Sequence, residues 1–280
     1  MCKQDLMDMK DQILSRLSPE YPWKDRLVWL DEVGSTNDFL KALAAEGAPE
    51  GTAVIADHQT GGHGRRGRSF LSPRGVGIYL SLLLRPNCPP AQLMHLTCAT
   101  GVAMCDAVEK SAGFRPGIKW TNDLVYGKRK LGGILTELRL DRNGLVESAI
   151  VGIGINCLQK QQDFSPEIRD IAGSLSMVTG QDVDRSRVAA AELEALCAMG
   201  ASLLTGKGAM MDQYRRDCIT IGQEISLVRG DEIRHGKALD VDADGALLVC
   251  FPDGHTEAVN SGEVSVRGMY GYVCNRSVYK

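Results

Sequence analysis

The chain has 280 residues, of which 44% are hydrophobic and 24% charged, the balance of an ordinary globular protein. That length is a prior of about two domains with room for a sizeable core, so disorder is excluded as the main theme. Thirty-two Lys and Arg against 35 Asp and Glu leave a net charge of −3, which excludes a chain devoted to nucleic acid and confines any such role to a local basic patch. The start, Met1-Cys2-Lys3-Gln4-Asp5, lacks the apolar core of a signal peptide. The longest stretch free of Asp, Glu, Lys and Arg, 86–105, carries three prolines, Asn87, His95 and two threonines, a poor membrane span. Nine cysteines, an odd number without a Cys-x-x-Cys pair, fit reduced thiols and a cytoplasmic location.

Leu6, Met9, Ile13 and Leu17 recur at helical spacing and predict an amphipathic helix over 3–17, stopped by Pro19 and Pro22. A strand at 27–30 follows, and Ser35-Thr36-Asn37 caps a helix running to about Gly47. Residues 52–56 form a strand, 58–75 a loop rich in Gly and Arg, and 76–84 an apolar strand. A long helix over about 91–111 ends near Gly113 and Pro116. A short strand at 117–120 precedes a hairpin of 130–140 and 145–155, turned by Asp141-Arg142-Asn143-Gly144. Helices are predicted over 185–204 and 209–218. After Gly222 the texture changes to short strands near 223–228, 232–240, 246–251, 256–259 and 263–267, with turns at Asp244-Gly245 and Asp253-Gly254. The expectation is an α+β unit with a mixed sheet over the first 220 residues, followed by a small barrel-like β domain.

The most informative stretch is Gln59-Thr60-Gly61-Gly62-His63-Gly64-Arg65-Arg66-Gly67-Arg68-Ser69, because four arginines and no acidic residue lie from His58 through Arg74. Glycines let a backbone wrap around a ligand, and arginines neutralise phosphate or carboxylate. Gly62-x-Gly64-x-x-Gly67 matches a dinucleotide fingerprint, and Gly62-x₄-Gly67-Arg68-Ser69 a P-loop. Both patterns must open a helix, and Ser69-Phe70-Leu71-Ser72-Pro73 does not; the P-loop lysine is also an arginine here. The alternative to a binding loop is a solvated Arg loop.

Three further segments carry candidate chemistry. In Lys119-Trp120-Thr121-Asn122-Asp123, with Lys128-Arg129-Lys130-Leu131-Gly132-Gly133 after it, the Asp and Asn could hold Mg²⁺ or a ribose and the lysines a carboxylate or phosphate. The competing reading is a polar hairpin anchored by Trp120. Ser35-Thr36-Asn37 could bind a ligand or simply cap its helix. Gly152-Ile153-Gly154-Ile155-Asn156 reads as a strand open to close approach, or as a bulged strand.

In this order the segments resemble the biotin protein ligases, over about Leu27 to Arg267. The family's Gly-Arg-Gly-Arg-Arg-Gly-Arg loop is similar to Gly62-His63-Gly64-Arg65-Arg66-Gly67-Arg68, its Lys-Trp-Pro-Asn-Asp motif to 119–123, and its Lys-Leu-x-Gly-Ile-Leu strand to 130–135; 261–267 looks like its closing strand. The resemblance implies a class II synthetase-like biotin–lipoate ligase domain at 26–220 and an SH3-like barrel at 221–270, flanked by a helical extension (1–25) and a tail (271–280). It implies formation of biotinyl-5′-AMP from biotin and ATP with Mg²⁺, then transfer to a lysine of the biotin carboxyl carrier domain of a carboxylase or decarboxylase. By that resemblance Ser35, Thr36, Asn37, Gln59, His63, Gly64, Arg65, Lys130 and Gly133 take biotin. Arg66, Arg68, Lys119, Asn122, Asp123 and Asn156 take the nucleotide, with Asp123 toward Mg²⁺ and Arg65 and Lys130 as catalytic residues. No membrane association is expected, and a homodimer is left open.

Two departures stand out. His63 replaces the loop's first arginine, putting that contact in doubt, and Thr121 replaces proline, loosening a backbone constraint. Only 34 residues precede Ser35, so the helix-turn-helix of the family's repressor branch, and with it operator DNA binding, is not expected. A lipoate ligase is the nearest rival, but a dithiolane would leave a set such as Ser35, Thr36, Asn37 and Gln59 unpaired. A nucleic-acid module built on the Arg loop is disfavoured by the acidic balance and the absence of an aromatic run beside it. A biotin carrier is disfavoured because Met9-Lys10-Asp11 is not a Met-Lys-Met acceptor.

Overall fold

Asp8 caps the first helix by accepting from Asp11 N at 2.8 Å, and α1 (Met9–Arg16) buries Ile13 and packs on α5 (Arg185–Ser202). The computed structural model describes residues 7–261 and 265–267; α1 begins at Met9, after its Asp8 cap, and residues 3–6 of the predicted helix lie outside the described ones. Seven strands form the main sheet: β1 (Leu27–Leu30), β2 (Ala53–Ala56), β3 (Gly77–Leu84), β4 (Gly117–Lys119), β5 (Asp123–Tyr126), β6 (Arg129–Leu140) and β7 (Val146–Asn156). Their spatial order is β1-β2-β3-β7-β6-β5-β4; β1 and β2 run parallel and every other pair antiparallel.

Both faces of this sheet are covered, which is why β3 is apolar almost throughout. Ile78, Leu80, Leu82 and Leu84 join the large core formed with α3 (Leu96–Ala112) and α5, while Leu83 joins Val54 and Ile150 beneath α2 (Thr36–Ala45). This is the period-2 alternation of a strand buried on two sides. Burial of about 25 cal/mol per Å² of apolar surface stabilises both layers. The consequence for function is positional: Ser81, one residue from each neighbour of the larger core, faces α2.

The predicted helix over 91–111 is two elements, a 3₁₀ turn at Pro90–Leu93 and α3, because Pro89 and Pro90 delay the start of the α-helix. Its end at Gly113 (φ 79°) is a left-handed C-cap. Helices α4 (Leu175–Thr179) and α6 (Lys207–Asp217) complete the first unit. A separate antiparallel sheet follows, β8 (Glu224–Arg229), β9 (Glu232–Val241), β10 (Leu247–Cys250), β11 (Thr256–Val259) and β12 (Ser265–Arg267), in the order β11-β10-β9-β8-β12. The expected last strand began at 263; residues 263 and 264 lie outside the described residues.

Candidate active site

A cleft of about 200 Å³ opens where the N-terminus of α2, the Gly/Arg loop, β5, β6 and β7 converge. Its floor is a row of hydrogen bonds fixed at both ends by groups with only one possible role. Gln59 Oε1 accepts from Thr36 N at 2.9 Å and Thr36 Oγ1 at 3.0 Å, and Gln59 Nε2 donates to Ser72 Oγ at 2.8 Å. The backbone N–H can only donate, so the orientation of the Gln59 amide is set. At the other end Asn37 Nδ2 donates to Glu137 Oε2 at 2.7 Å. A carboxylate can only accept, so Asn37 turns its oxygen inward. Ser81, fully buried, sits between them, 2.8 Å from Thr36 Oγ1 and 2.6 Å from Asn37 Oδ1. Ser35 caps α2 through Asp38 N, so capping and cleft lining are both true of the Ser-Thr-Asn segment.

The wall above is the Arg loop, folded as a small hairpin by a bridge between His63 and Ser69 and a 2.6 Å bond from Gly64 N to Arg68 O. Arg65 donates to Asn122 Oδ1 at 3.0 Å and to the carbonyl of Ser261, tying loop, Lys-Trp-Thr-Asn-Asp motif and C-terminal unit together. Burial, with Arg66 and Arg68 adding like charge, lowers the Arg65 pKa against the pull of Asp123; an arginine remains a cation regardless. His63 turns Nδ1 toward Gly61 O (3.2 Å) and lies 4.0 Å from Asp38. Phe70, at the loop's exit, packs over Gly154, where a Cβ would stand 2.4 Å from its ring.

The far wall is the Lys-Trp-Thr-Asn-Asp segment. Trp120 donates its indole N–H to Gly245 O at 2.9 Å, and its backbone N–H to Thr220 Oγ1 at 2.9 Å. The Trp120–Thr121 peptide is cis, and Tyr214 Oη donates to Thr121 O. Asn122 Nδ2 donates to Ile134 O at 3.0 Å. Pairing of β5 with β6 shifts by one residue between Leu124 and Val125, a bulge of the kind that redirects side chains, and Lys130 Nζ reaches Asp123 Oδ1 at 2.7 Å. Arg65, Arg66, Arg68, Lys119 and Lys130 thus line the cleft, with Asp123 its one carboxylate among the described residues.

Every predicted site residue except Asn156 lines this cleft. Asn156 is buried behind it, donating to Gly173 O at 2.9 Å and accepting from Gln159, and serves the loop after β7. The glycine-containing strand does contribute, but through Gly152 and Gly154 rather than its terminal Asn. Ser72, Ser81 and Glu137, which hold the floor, carry no sequence signature: each acts through a contact with a residue distant in the chain, Gln59 for the first and the start of α2 for the other two.

The architecture is that of the biotin–lipoate ligases: residues 29–156 match the biotin/lipoate A/B protein ligase family and residues 220–267 the biotin protein ligase C-terminal domain. Among curated relatives, a bifunctional ligase/repressor BirA of Bacillus spizizenii is 37% identical over 81% of this chain and 70% of its own length. A biotin–[acetyl-CoA-carboxylase] ligase of Mycobacterium tuberculosis is 31% identical over 93% of this chain and 94% of its own. The Aquifex aeolicus biotin protein ligase, solved in complex with biotin and ATP, superposes with a TM-score of 0.71 at 32% identity, covering 86% of this chain and 98% of that one. The chain belongs to the biotin protein ligase family.

Proposed function

We infer that this protein joins biotin to ATP, releasing pyrophosphate, and passes the biotinyl group from the adenylate to a carrier lysine. The observation that carries biotin over lipoate is the single hydroxyl proton of Ser81, which faces two acceptors, Thr36 Oγ1 and Asn37 Oδ1. Thr36 spends its own proton on Gln59, so the floor is one donor short. A ligand bearing N–H groups, such as a cyclic urea, satisfies it; a dithiolane does not, and an unmet buried acceptor costs about 1–3 kcal/mol.

The first step brings a carboxylate against the α-phosphate. At about 4 Å and an effective dielectric near 20, each pair of like charges costs roughly 4 kcal/mol. The cations of the Arg loop, Lys119 and Lys130 oppose that repulsion and neutralise charge that develops on the phosphate. The carboxylate oxygen bonds phosphorus as pyrophosphate leaves; the lysine amine of the carrier then attacks the acyl carbon and AMP leaves. Little general acid–base chemistry is needed in the first step, consistent with a cleft whose titratable groups are mainly cations.

Mg²⁺ enters the reading only with the nucleotide. Among the described residues no group of three or more His, Cys, Asp or Glu is placed to hold a metal, and Asp123 already pairs with Lys130. One carboxylate plus substrate phosphates suits Mg²⁺, which keeps most of its waters; Asp123 would be the protein's contribution. The acceptor we propose is the biotin carboxyl carrier domain of a carboxylase or decarboxylase. The seven described cysteines are all free thiols, which supports a reducing, cytoplasmic compartment.

Pyrophosphate release from ATP, measured with biotin and with lipoate and followed by transfer to an isolated carrier domain, tests the proposal. Biotin-dependent release and carrier labelling are expected; equal or faster release with lipoate would refute it.

A further inference from the structure

Asn37 and Lys41 lie four residues apart on α2 and therefore share the helix face that overhangs β6. Both meet the same side chain there. Glu137 Oε2 accepts from Asn37 Nδ2 at 2.7 Å, and Glu137 Oε1 pairs with Lys41 Nζ at 2.7 Å. Lys41 also bonds Asp38 at 2.9 Å. Burial opposes the Lys41 charge, yet its two carboxylate partners prevail and raise its pKa, so the ammonium only donates. Glu137 does not line the cleft.

We propose that Glu137 is a positioning residue for substrate selection: by accepting from Asn37 it turns that amide's oxygen toward Ser81 and the cleft, and so creates the acceptor surplus that demands N–H groups on the ligand. The inference rests on biotin as the cleft's substrate. Its physical content is a polarity set from outside the site. A primary amide is nearly symmetric in shape, so shape alone does not decide whether Asn37 offers a carbonyl or an NH₂ group. The carboxylate decides it, because both of its oxygens are acceptors and its two partners are both donors.

Replacing Glu137 by Gln tests this without changing its size. Lys41 can only donate, so it draws the new carbonyl oxygen and leaves the new NH₂ group facing Asn37 Nδ2. Two donors then meet, and Asn37 relieves the conflict by flipping, presenting NH₂ to Ser81 and to the ligand. Removing Lys41 as well frees the glutamine to turn its oxygen back to Asn37.

Biotin is titrated calorimetrically into the full-length wild type, Glu137→Gln and Lys41→Met/Glu137→Gln, and steady-state kinetics are measured for each. Glu137→Gln should bind biotin about tenfold more weakly, the scale of one mismatched buried hydrogen bond. Its KM for biotin should rise, with kcat at saturating biotin and KM for ATP unchanged. The double variant should recover most of the affinity. Unaltered biotin binding in Glu137→Gln overturns the inference, as does a double variant no tighter than the single one, which would mark a merely structural role. Failure of the wild type to bind biotin would instead overturn the substrate assignment beneath it.

Discussion

The amide oxygen of Asn37 stands 2.1 Å from the point where a Cβ on Gly152 would lie. Asn37 thus occupies the space a side chain on β7 would take, between Ser81 and Leu135, the residues paired with Gly152 on either side. Only glycine leaves that space open. Gly152→Ala should displace the Asn37 amide and raise KM for biotin, at a stability cost of about 1–3 kcal/mol for an added buried methyl group. Biotin titration beside a thermal melt checks it; an alanine variant with wild-type biotin affinity would remove Asn37 from the recognition surface.

Lys130 Nζ pairs at 2.7 Å with Asp123, the one carboxylate lining the cleft among the described residues. That ion pair is partly exposed, so it contributes little to stability, and we place the residue's role in the reaction. Lys130→Ala should keep its melting temperature while slowing adenylate formation by about 10²–10³-fold, the usual loss when one preorganised donor to a developing charge is removed. Single-turnover pyrophosphate release measures it, and an unchanged rate in the folded variant excludes Lys130 from the chemistry.

Local signals carried the frame of this molecule a long way. The Asn143-Gly144 turn, the Ser35 cap and the closely spaced strands after Gly222 all read correctly, because each depends on a few neighbouring residues. β5 was hidden because Asp123–Tyr126 belongs to a polar motif that looks like a loop until it pairs with β4 and β6. The parallel pairing of β1 with β2 is likewise a tertiary fact. In the site, residue type revealed the Arg loop and Lys130, whereas Ser81 and Glu137 are ordinary strand residues until register and helix packing bring them to Asn37. Asn156 fits the same logic in reverse: its polarity suggests a ligand, and its partners in the fold are the carbonyl of Gly173 and the side-chain amide of Gln159.

Glu192 on α5 is fully buried, and neither carboxylate oxygen has a hydrogen-bond partner. Burial raises its pKa well above the usual carboxylate range. The folded chain therefore holds a proton that the unfolded chain gives up near pH 4.5. A raised folded pKa means stability that is fully present below the unfolded value and is lost as pH climbs through the folded one. Glu192→Met, close in volume and without the unpaired oxygens, should melt higher at pH 7, with a gain growing by at most about 1.4 kcal/mol per pH unit above that of the unfolded carboxyl. Melting curves from pH 4.5 to 7.5 test the trend, and a gain independent of pH would assign it to packing alone.

Arg65 joins three parts of the protein, donating to Asn122 beside the cleft and to the Ser261 carbonyl in the C-terminal unit while its own loop forms the cleft wall. A side chain so placed can hold the loop over a bound adenylate and keep water from the mixed anhydride. Arg66, Arg68, Lys119 and Lys130 still line the cleft when Arg65 is removed, so charge for the first step is largely retained. Arg65→Gly should therefore still make biotinyl-adenylate and lose it to solvent, labelling lysines on unrelated proteins. Rapid filtration of the enzyme with radiolabelled biotin and ATP gives the retention half-life, and a biotin blot on a bystander protein detects the released intermediate. Retention as long as the wild type's, with a clean bystander, would show that the loop is held over the adenylate without this residue.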